Sequence, residues 1–154
     1  MFLPISKQEK KLVKWLLSAA ASDDAHPELQ CIHKRKDGKL ETSDGYRIHQ
    51  CRLDGVLAEL EPGLYDFTIR GNVVEVIRRE VYIFPSTDYF MSIEKTNVLL
   101  SLFNAEYLSD AMMIFDYVKI ETSKDCMFVT ALSLDGNADP HKRIAIIMRM
   151  REIK

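Results

Sequence analysis

Leu12, Val13, Leu16, Leu17 and Ala20 recur at helical spacing, an apolar face that predicts a helix. Ser6-Lys7-Gln8-Glu9 in front of it reads as a capping box, the Ser6 hydroxyl accepting from the Glu9 N–H and the Glu9 carboxylate from the Ser6 N–H. Asp23-Asp24 and His26-Pro27 predict a stop near Ser22. The period then becomes that of strands. Segment 29–36 is extended, Asp37-Gly38 marks a tight turn, 39–43 is a second strand, and Asp44-Gly45 a second turn. Segment 46–53 alternates well enough for a half-buried strand. Pro62-Gly63 opens a further hairpin, 64–70 and 73–83 around Gly71-Asn72, followed by a loop at Pro85-Ser86-Thr87-Asp88.

The pattern then starts again. Segment 98–103 is a short apolar strand, and Asn104 is placed to cap a second helix. Tyr107, Leu108, Ala111, Met112 and Phe115 form that helix's apolar face. Strands are expected at 117–122, 127–134 and 143–151, with Asp135-Gly136-Asn137 beginning the last connection. With a first strand at 2–5, the order β-α-β-β-β occurs twice. Residues 1–53 form one half-unit, 98–154 the other, and 54–97 an inserted hairpin and connection. Such a duplication predicts one α+β domain, two helices packed on a largely antiparallel sheet.

The chain has 154 residues, 47% of them apolar, enough for a core without disulfides or a metal. Its net charge of -2 gives no global attraction to nucleic acid. Any DNA contact must come from a local basic face. Cys31, Cys51 and Cys126 are odd in number and widely spaced, as expected of reduced thiols in a cytoplasmic protein. The N-terminus has no signal-peptide core, and no apolar run reaches the roughly 20 residues of a membrane span. A soluble, cytoplasmic protein without membrane contact is the expectation.

Candidate chemistry is sparse. Cys31 and His33, and His49 and Cys51, each stand two apart on expected strands. Adjacent strands in register would offer these four to zinc. The spacing is not that of a metal knuckle, and packed thiols with exposed histidines are the simpler expectation. No nucleophile elbow, zinc-protease helix or phosphate-cradling glycine loop occurs. Asp44 before Gly45 suits a turn residue bonding its own backbone. No enzyme activity, metal or cofactor is expected.

Three stretches carry a family resemblance. The first is Ala21-Ser22-Asp23-Asp24-Ala25-His26-Pro27-Glu28-Leu29-Gln30 with Thr42-Ser43-Asp44-Gly45-Tyr46-Arg47-Ile48. The second is Phe84-Pro85 through Tyr89. The third joins Asn104-Ala105-Glu106-Tyr107-Leu108-Ser109-Asp110-Ala111 to Ile147-Met148-Arg149-Met150-Arg151. Together they resemble the bacterial DNA polymerase III beta sliding clamp family, with its Thr-Asp-Gly-His-Arg-Leu turn and C-terminal Met-Pro-Met-Arg. The resemblance implies a DNA-clamp-like domain, and a processivity and scaffold protein of DNA replication. Since clamps close a ring of six such domains, a one-domain chain would self-associate, as a homohexamer if the ring is complete.

In that family the two terminal motifs line an apolar pocket that captures short linear peptides of replication and repair proteins. By matching position the resemblance assigns peptide binding to Gly45, Tyr46, Arg47, Ile48, Ile147, Met148 and Met150. Tyr46 stands for the usual His and Arg149 for Pro. The motifs come from adjacent domains in the family, so here they are expected to meet only between subunits.

Lys7, Lys10, Lys11 and Lys14 form a stripe opposite the first helix's apolar face. Inside a ring it would track the phosphates of double-stranded DNA without reading sequence; a solvated helix surface is the alternative. The second helix presents Glu106, Ser109, Asp110 and Asp116, with no lysine or arginine among its outward candidates. That leaves open a clamp-fold interaction module or regulator that does not encircle DNA.

Overall fold

The computed structural model describes residues 1–80, 82–94, 103–123, 125–133 and 139–149. All of the expected strand at 98–103 except Phe103, the turn at Asp135-Gly136-Asn137 and the candidate Met150 lie outside the described residues.

Helix α1 (Lys7–Leu17) begins as its sequence predicts. Ser6 Oγ accepts from the Glu9 N–H at 3.1 Å, and Glu9 Oε2 accepts from the Ser6 N–H at 2.8 Å. It ends at Leu17, well short of Ser22. The reason is tertiary. A helix leaves its last carbonyls without partners, and here the sheet supplies donors. The Trp15 carbonyl accepts from His49 Nδ1 at 2.8 Å, and the Leu16 carbonyl from the Thr42 hydroxyl. The buried stripe is Leu12, Val13, Trp15, Leu16 and Ala19; Ala20 is only partly covered.

Among the described residues nine strands form one antiparallel sheet: β1 (Phe2–Pro4), β2 (Ile32–Lys34), β3 (Lys39–Ser43), β4 (Arg47–Arg52), β5 (Gly63–Arg70), β6 (Val73–Arg79), β7 (Tyr117–Thr122), β8 (Cys126–Leu132) and β9 (Ile144–Met148). Their spatial order is β1-β6-β5-β2-β3-β4-β9-β8-β7. Two short helices, α2 (Asp88–Met91) and α3 (Ala105–Met112), complete the described elements with two 3-10 turns, Pro27–Gln30 and Gly55–Glu59. The first of those turns replaces the start of the strand expected from residue 29. β6 ends at Arg79 rather than at 83. α3 starts on Asn104, whose Oδ1 accepts from the Glu106 N–H at 2.8 Å.

A helix followed by three strands occurs twice, and the pairing relates the two sets. α1 precedes β2-β3-β4 and α3 precedes β7-β8-β9, and the last strands of the two sets pair with each other. Arg47 lies opposite Ile147 and Gln50 opposite Ile144. The hairpin β5-β6 extends the sheet beyond β2 and carries β1 at its far edge. α1 and α3 lie side by side on one face. Trp15 Nε1–H donates to the Ala111 carbonyl at 3.0 Å, and the Trp15 and Phe115 rings are 5.3 Å apart.

Because strand side chains alternate between faces, the sheet separates two apolar clusters. Ile32, Leu40, Cys51, Phe67, Val129 and Ile147 pack beneath the helices with Leu12, Trp15 and Leu16. Ile48, Cys126, Phe128 and Ile146 form a cluster on the opposite face. β4 is therefore not half-buried as its alternation suggests: Arg47 through Cys51 are all buried. The helices cover one of its faces, and residues 84–93 cross the other.

Candidate functional site

On the helix face, the four lysines do not act as a set. Lys7, Lys11 and Lys14 are exposed on α1. Lys10 turns sideways, and its Nζ donates to the Gly71 carbonyl in the β5–β6 turn at 2.6 Å. Lys7 and Lys11 border a groove shared with Ile114, Asp116 and Arg143. The neighbouring α3 exposes Glu106 and Ser109. Asp110 is engaged inward by Arg47. The two helices thus offer a basic flank beside a weakly acidic one.

The six described residues matched to a peptide pocket fall in three places. Gly45 (φ +88°) and exposed Tyr46 form the β3–β4 turn. There Asp44 Oδ1 accepts from the Tyr46 and Arg47 N–H groups at 2.9 and 3.0 Å, the turn role its position predicts. Arg47 and Ile147 face the helices. Arg47 is buried, bonds Asp44 and Asp110, and stacks over the Tyr107 ring at 4.2 Å, so it fastens α3 to the sheet. Ile48 and Met148 face the other way, in the outer cluster. Consecutive strand residues cannot line one pocket, which is why the set divides. The two motifs were expected to meet only between subunits. They are neighbours within one chain: β4 pairs with β9, and the Met148 N–H donates to the Tyr46 carbonyl at 2.8 Å.

The outer face holds a polar network that sequence reasoning missed. Glu41 is fully buried. Its carboxylate accepts from His33 Nδ1 at 2.8 Å, Gln50 Nε2 at 2.9 Å and the Thr87 hydroxyl at 2.6 Å, with Arg35 at 3.3 Å. Burial alone would raise the Glu41 carboxyl, but these donors and the Arg35 charge hold it below the usual carboxylate range. Arg35 also reaches Asp88 at 2.6 Å. The adjacent basic residue Lys34 points to the helix face and is buried, donating to the Gly38 and Ala58 carbonyls at 3.0 Å. A run of basic residues carries no sign of which one is paired inside the protein.

The network ties down the segment after β6. Phe84 is buried with Leu29, Cys31 and Leu64, and its ring stacks on His33 at 4.9 Å. Thr87 is buried on Glu41. Phe90 and Ile93, half-exposed, lie on Ile48, Cys126, Phe128 and Ile146. Their i, i+3 spacing was the one sequence signal of that contact.

The four residues weighed for zinc do not converge. β3 separates β2 from β4. The Cys31 thiol bonds Asp66 and His33 bonds Glu41. His49 stacks on Trp15 at 4.3 Å on the other face, and Cys51 lies in the helix-side core. Burial pushes both the Cys31 and Cys51 thiols up to about 12, far from thiolate reactivity. Among the described residues no three His, Cys, Asp or Glu side chains are placed to share a metal ion, and no helix is long and apolar enough to cross a membrane.

No protein-family description matches the chain, and no curated protein matches it by sequence. Solved structures do match. A DnaN sliding clamp (DNA polymerase III subunit beta) from Pseudomonas aeruginosa, bound to griselimycin, is 14% identical, with a TM-score of 0.63 over 99% of this chain and 66% of that one. The DNA polymerase III beta subunit of Thermotoga maritima is 15% identical over 99% of this chain and 65% of its own, with a TM-score of 0.47. A C. crescentus beta sliding clamp is 12% identical over 98% of this chain and 66% of its own, with a TM-score of 0.48. The chain spans about two thirds of the length of these proteins. The likeness to the Pseudomonas aeruginosa clamp establishes the fold alone: an α+β, clamp-like arrangement of helices on an antiparallel sheet.

Proposed function

We propose that this chain, whose fold is that of a sliding clamp, is a non-enzymatic, cytoplasmic scaffold that self-associates around double-stranded DNA and holds partner peptides on its outer face. The observation that carries the reading is the helix pair. α1 and α3 are fixed side by side by the Trp15–Ala111 hydrogen bond, on one face of a sheet running through the β4–β9 seam. Such a layer can present one wall of a channel while the sheet forms its outside. Half-units 1–53 and 98–154 would then be the repeats, with 54–97 enlarging the first.

Lys7, Lys11 and Lys14 are the exposed cations for phosphate; Lys10 contributes less because its ammonium is held by Gly71. Each phosphate contact adds close to one released counterion, so retention should fall steeply with salt. The peptide seat centres on Ile48 and Met148, with Tyr46 at its rim. Gly45 shapes the turn, while Arg47 and Ile147 support it from the opposite face. Met150 belongs to the proposed seat by its motif position.

A second reading has its own observation. Helix α3 contains no lysine or arginine and exposes Glu106. A ring of such chains would alternate basic and acidic walls, which weakens non-specific DNA binding. This favours an interaction module that does not encircle DNA.

One experiment separates the two: mass by light scattering, combined with retention on closed circular and linear duplexes. An encircling oligomer stays on the circle and slides off the linear molecule, and Lys7→Glu/Lys11→Glu/Lys14→Glu removes retention without changing the mass. A monomer at high concentration, retained equally on both DNAs or on neither, refutes encirclement and leaves the module.

A further inference from the structure

We propose that residues 86–93, downstream of the buried Phe84, form a displaceable strap, occupying in cis a groove that a partner peptide of similar chemistry enters when the strap lifts. The inference rests on the reading of the Ile48 face as a peptide seat and adds its regulation and the pattern of its ligand.

The floor of the groove is fully apolar. Ile48, Cys126, Phe128 and Ile146 are each 2% exposed or less. Strand residues on a sheet face reach that burial only when something lies over them, and among the described residues Phe90 and Ile93 of this segment lie over them. Phe90, in the single turn of α2, and Ile93, two residues beyond its end, contact the floor. The cover is buried less completely than what it covers. Phe90 and Ile93 are half-exposed, while Tyr89 is 67% and Met91 36% exposed. α2 is a single turn whose N-cap residue, Thr87, makes no side-chain cap hydrogen bond. Downstream of Thr87 only two half-buried side chains, Phe90 and Ile93, hold this stretch on the floor, which places it at the low-stability end of the structure.

Its polar anchor lies upstream. The Thr87 hydroxyl donates to Glu41, and Arg35 bonds both Thr87 Oγ1 at 2.9 Å and Asp88 at 2.6 Å. Glu41 and Arg35 keep further partners in the sheet, since His33 and Gln50 bond Glu41, and Asp37 pairs with Arg35. Lifting the strap therefore leaves neither charge without a partner. It uncovers a cation, Arg35, beside an apolar floor. The seat accordingly selects a peptide with a carboxylate followed two and five positions later by apolar side chains, as Asp88, Phe90 and Ile93 are spaced here.

Tethering makes the strap a strong competitor, because an intramolecular segment acts at a high effective concentration. Apparent affinity for a free peptide is the intrinsic affinity reduced by the fraction of open strap.

The probe is a fluorescein-labelled peptide copying residues 86–94, titrated by anisotropy against full-length protein. Phe90→Ala/Ile93→Ala empties the groove, and Thr87→Val loosens the anchor without touching it. The expected result is at least tenfold tighter binding to each variant than to the wild type. In the wild type, added probe should also accelerate amide exchange across 86–93 while slowing it in β4, β8 and β9. Equal affinity for wild type and both variants would overturn the strap and leave the peptide seat standing. No binding to a folded Thr87→Val protein would refute the seat itself, and the strap with it. Should the double variant not fold, Thr87→Val and the exchange measurement decide the question alone.

Discussion

His49 makes the core of this protein sensitive to mild acid. Its ring is fully buried in the sheet, stacked on Trp15 at 4.3 Å and 13°. Nδ1 must carry the proton, since it donates to the Trp15 carbonyl at 2.8 Å. Nε2 has no hydrogen-bond partner among the described residues, so a second proton would be buried unpaired beside Arg47. Burial lowers the imidazole from 6.5 to about 4, the Arg47 charge adding to it against the Trp15 hydrogen bond. The folded state thus binds this proton less readily than the unfolded chain. The stabilisation is present above the unfolded value and is lost as pH falls from 6.5 toward 4. Linkage over that window gives a loss of about 2 kcal/mol between pH 7 and pH 5. Urea unfolding at the two pH values measures it, followed by the emission of Trp15, the single tryptophan. His49→Gln keeps a donor for the Trp15 carbonyl but removes the titration. The variant should start less stable and lose about 2 kcal/mol less than wild type on acidification. Parallel pH dependence in the two proteins would refute the argument.

Two further changes probe how α3 is held. Asn104→Ala removes the acceptor for the first N–H groups of the helix and should cost about 1 kcal/mol in chemical unfolding; a change within error would mean the helix starts elsewhere. Arg47→Lys keeps the charge but loses the geometry that reaches Asp44, Asp110 and the Tyr107 ring together. It should cost about 2 kcal/mol and speed amide exchange in α3 more than in α1; unchanged exchange in α3 would show that Arg47 does not fasten it.

The capping box at Ser6 and the cap at Asn104 were legible because they are local. Each joins atoms three residues apart or fewer, so the helix starts follow from the residues themselves. β3 was legible because the Asp37-Gly38 and Asp44-Gly45 turns bound it. The end of α1 was not, since its last carbonyls are taken by His49 and Thr42 from a distant part of the chain. Trp15 was absent from the expected apolar face although it is the bolt between the helices. Its partners Ala111, Phe115 and His49 come from two other elements.

The same division holds for the candidate site. By itself the sequence determined that a helix precedes three strands in each half, the lysines on one side of α1 and the likeness of Asp44-Gly45-Tyr46-Arg47-Ile48 to a known turn, because periodicity and motif are properties of neighbouring residues. Which side of the sheet each residue serves was decided only by pairing. Once β4 lies against β9, Arg47 and Ile147 are committed to the helices, and Ile48 and Met148 to the outside. Strand pairing joins residues about a hundred positions apart, and a one-residue shift in register would exchange the two faces.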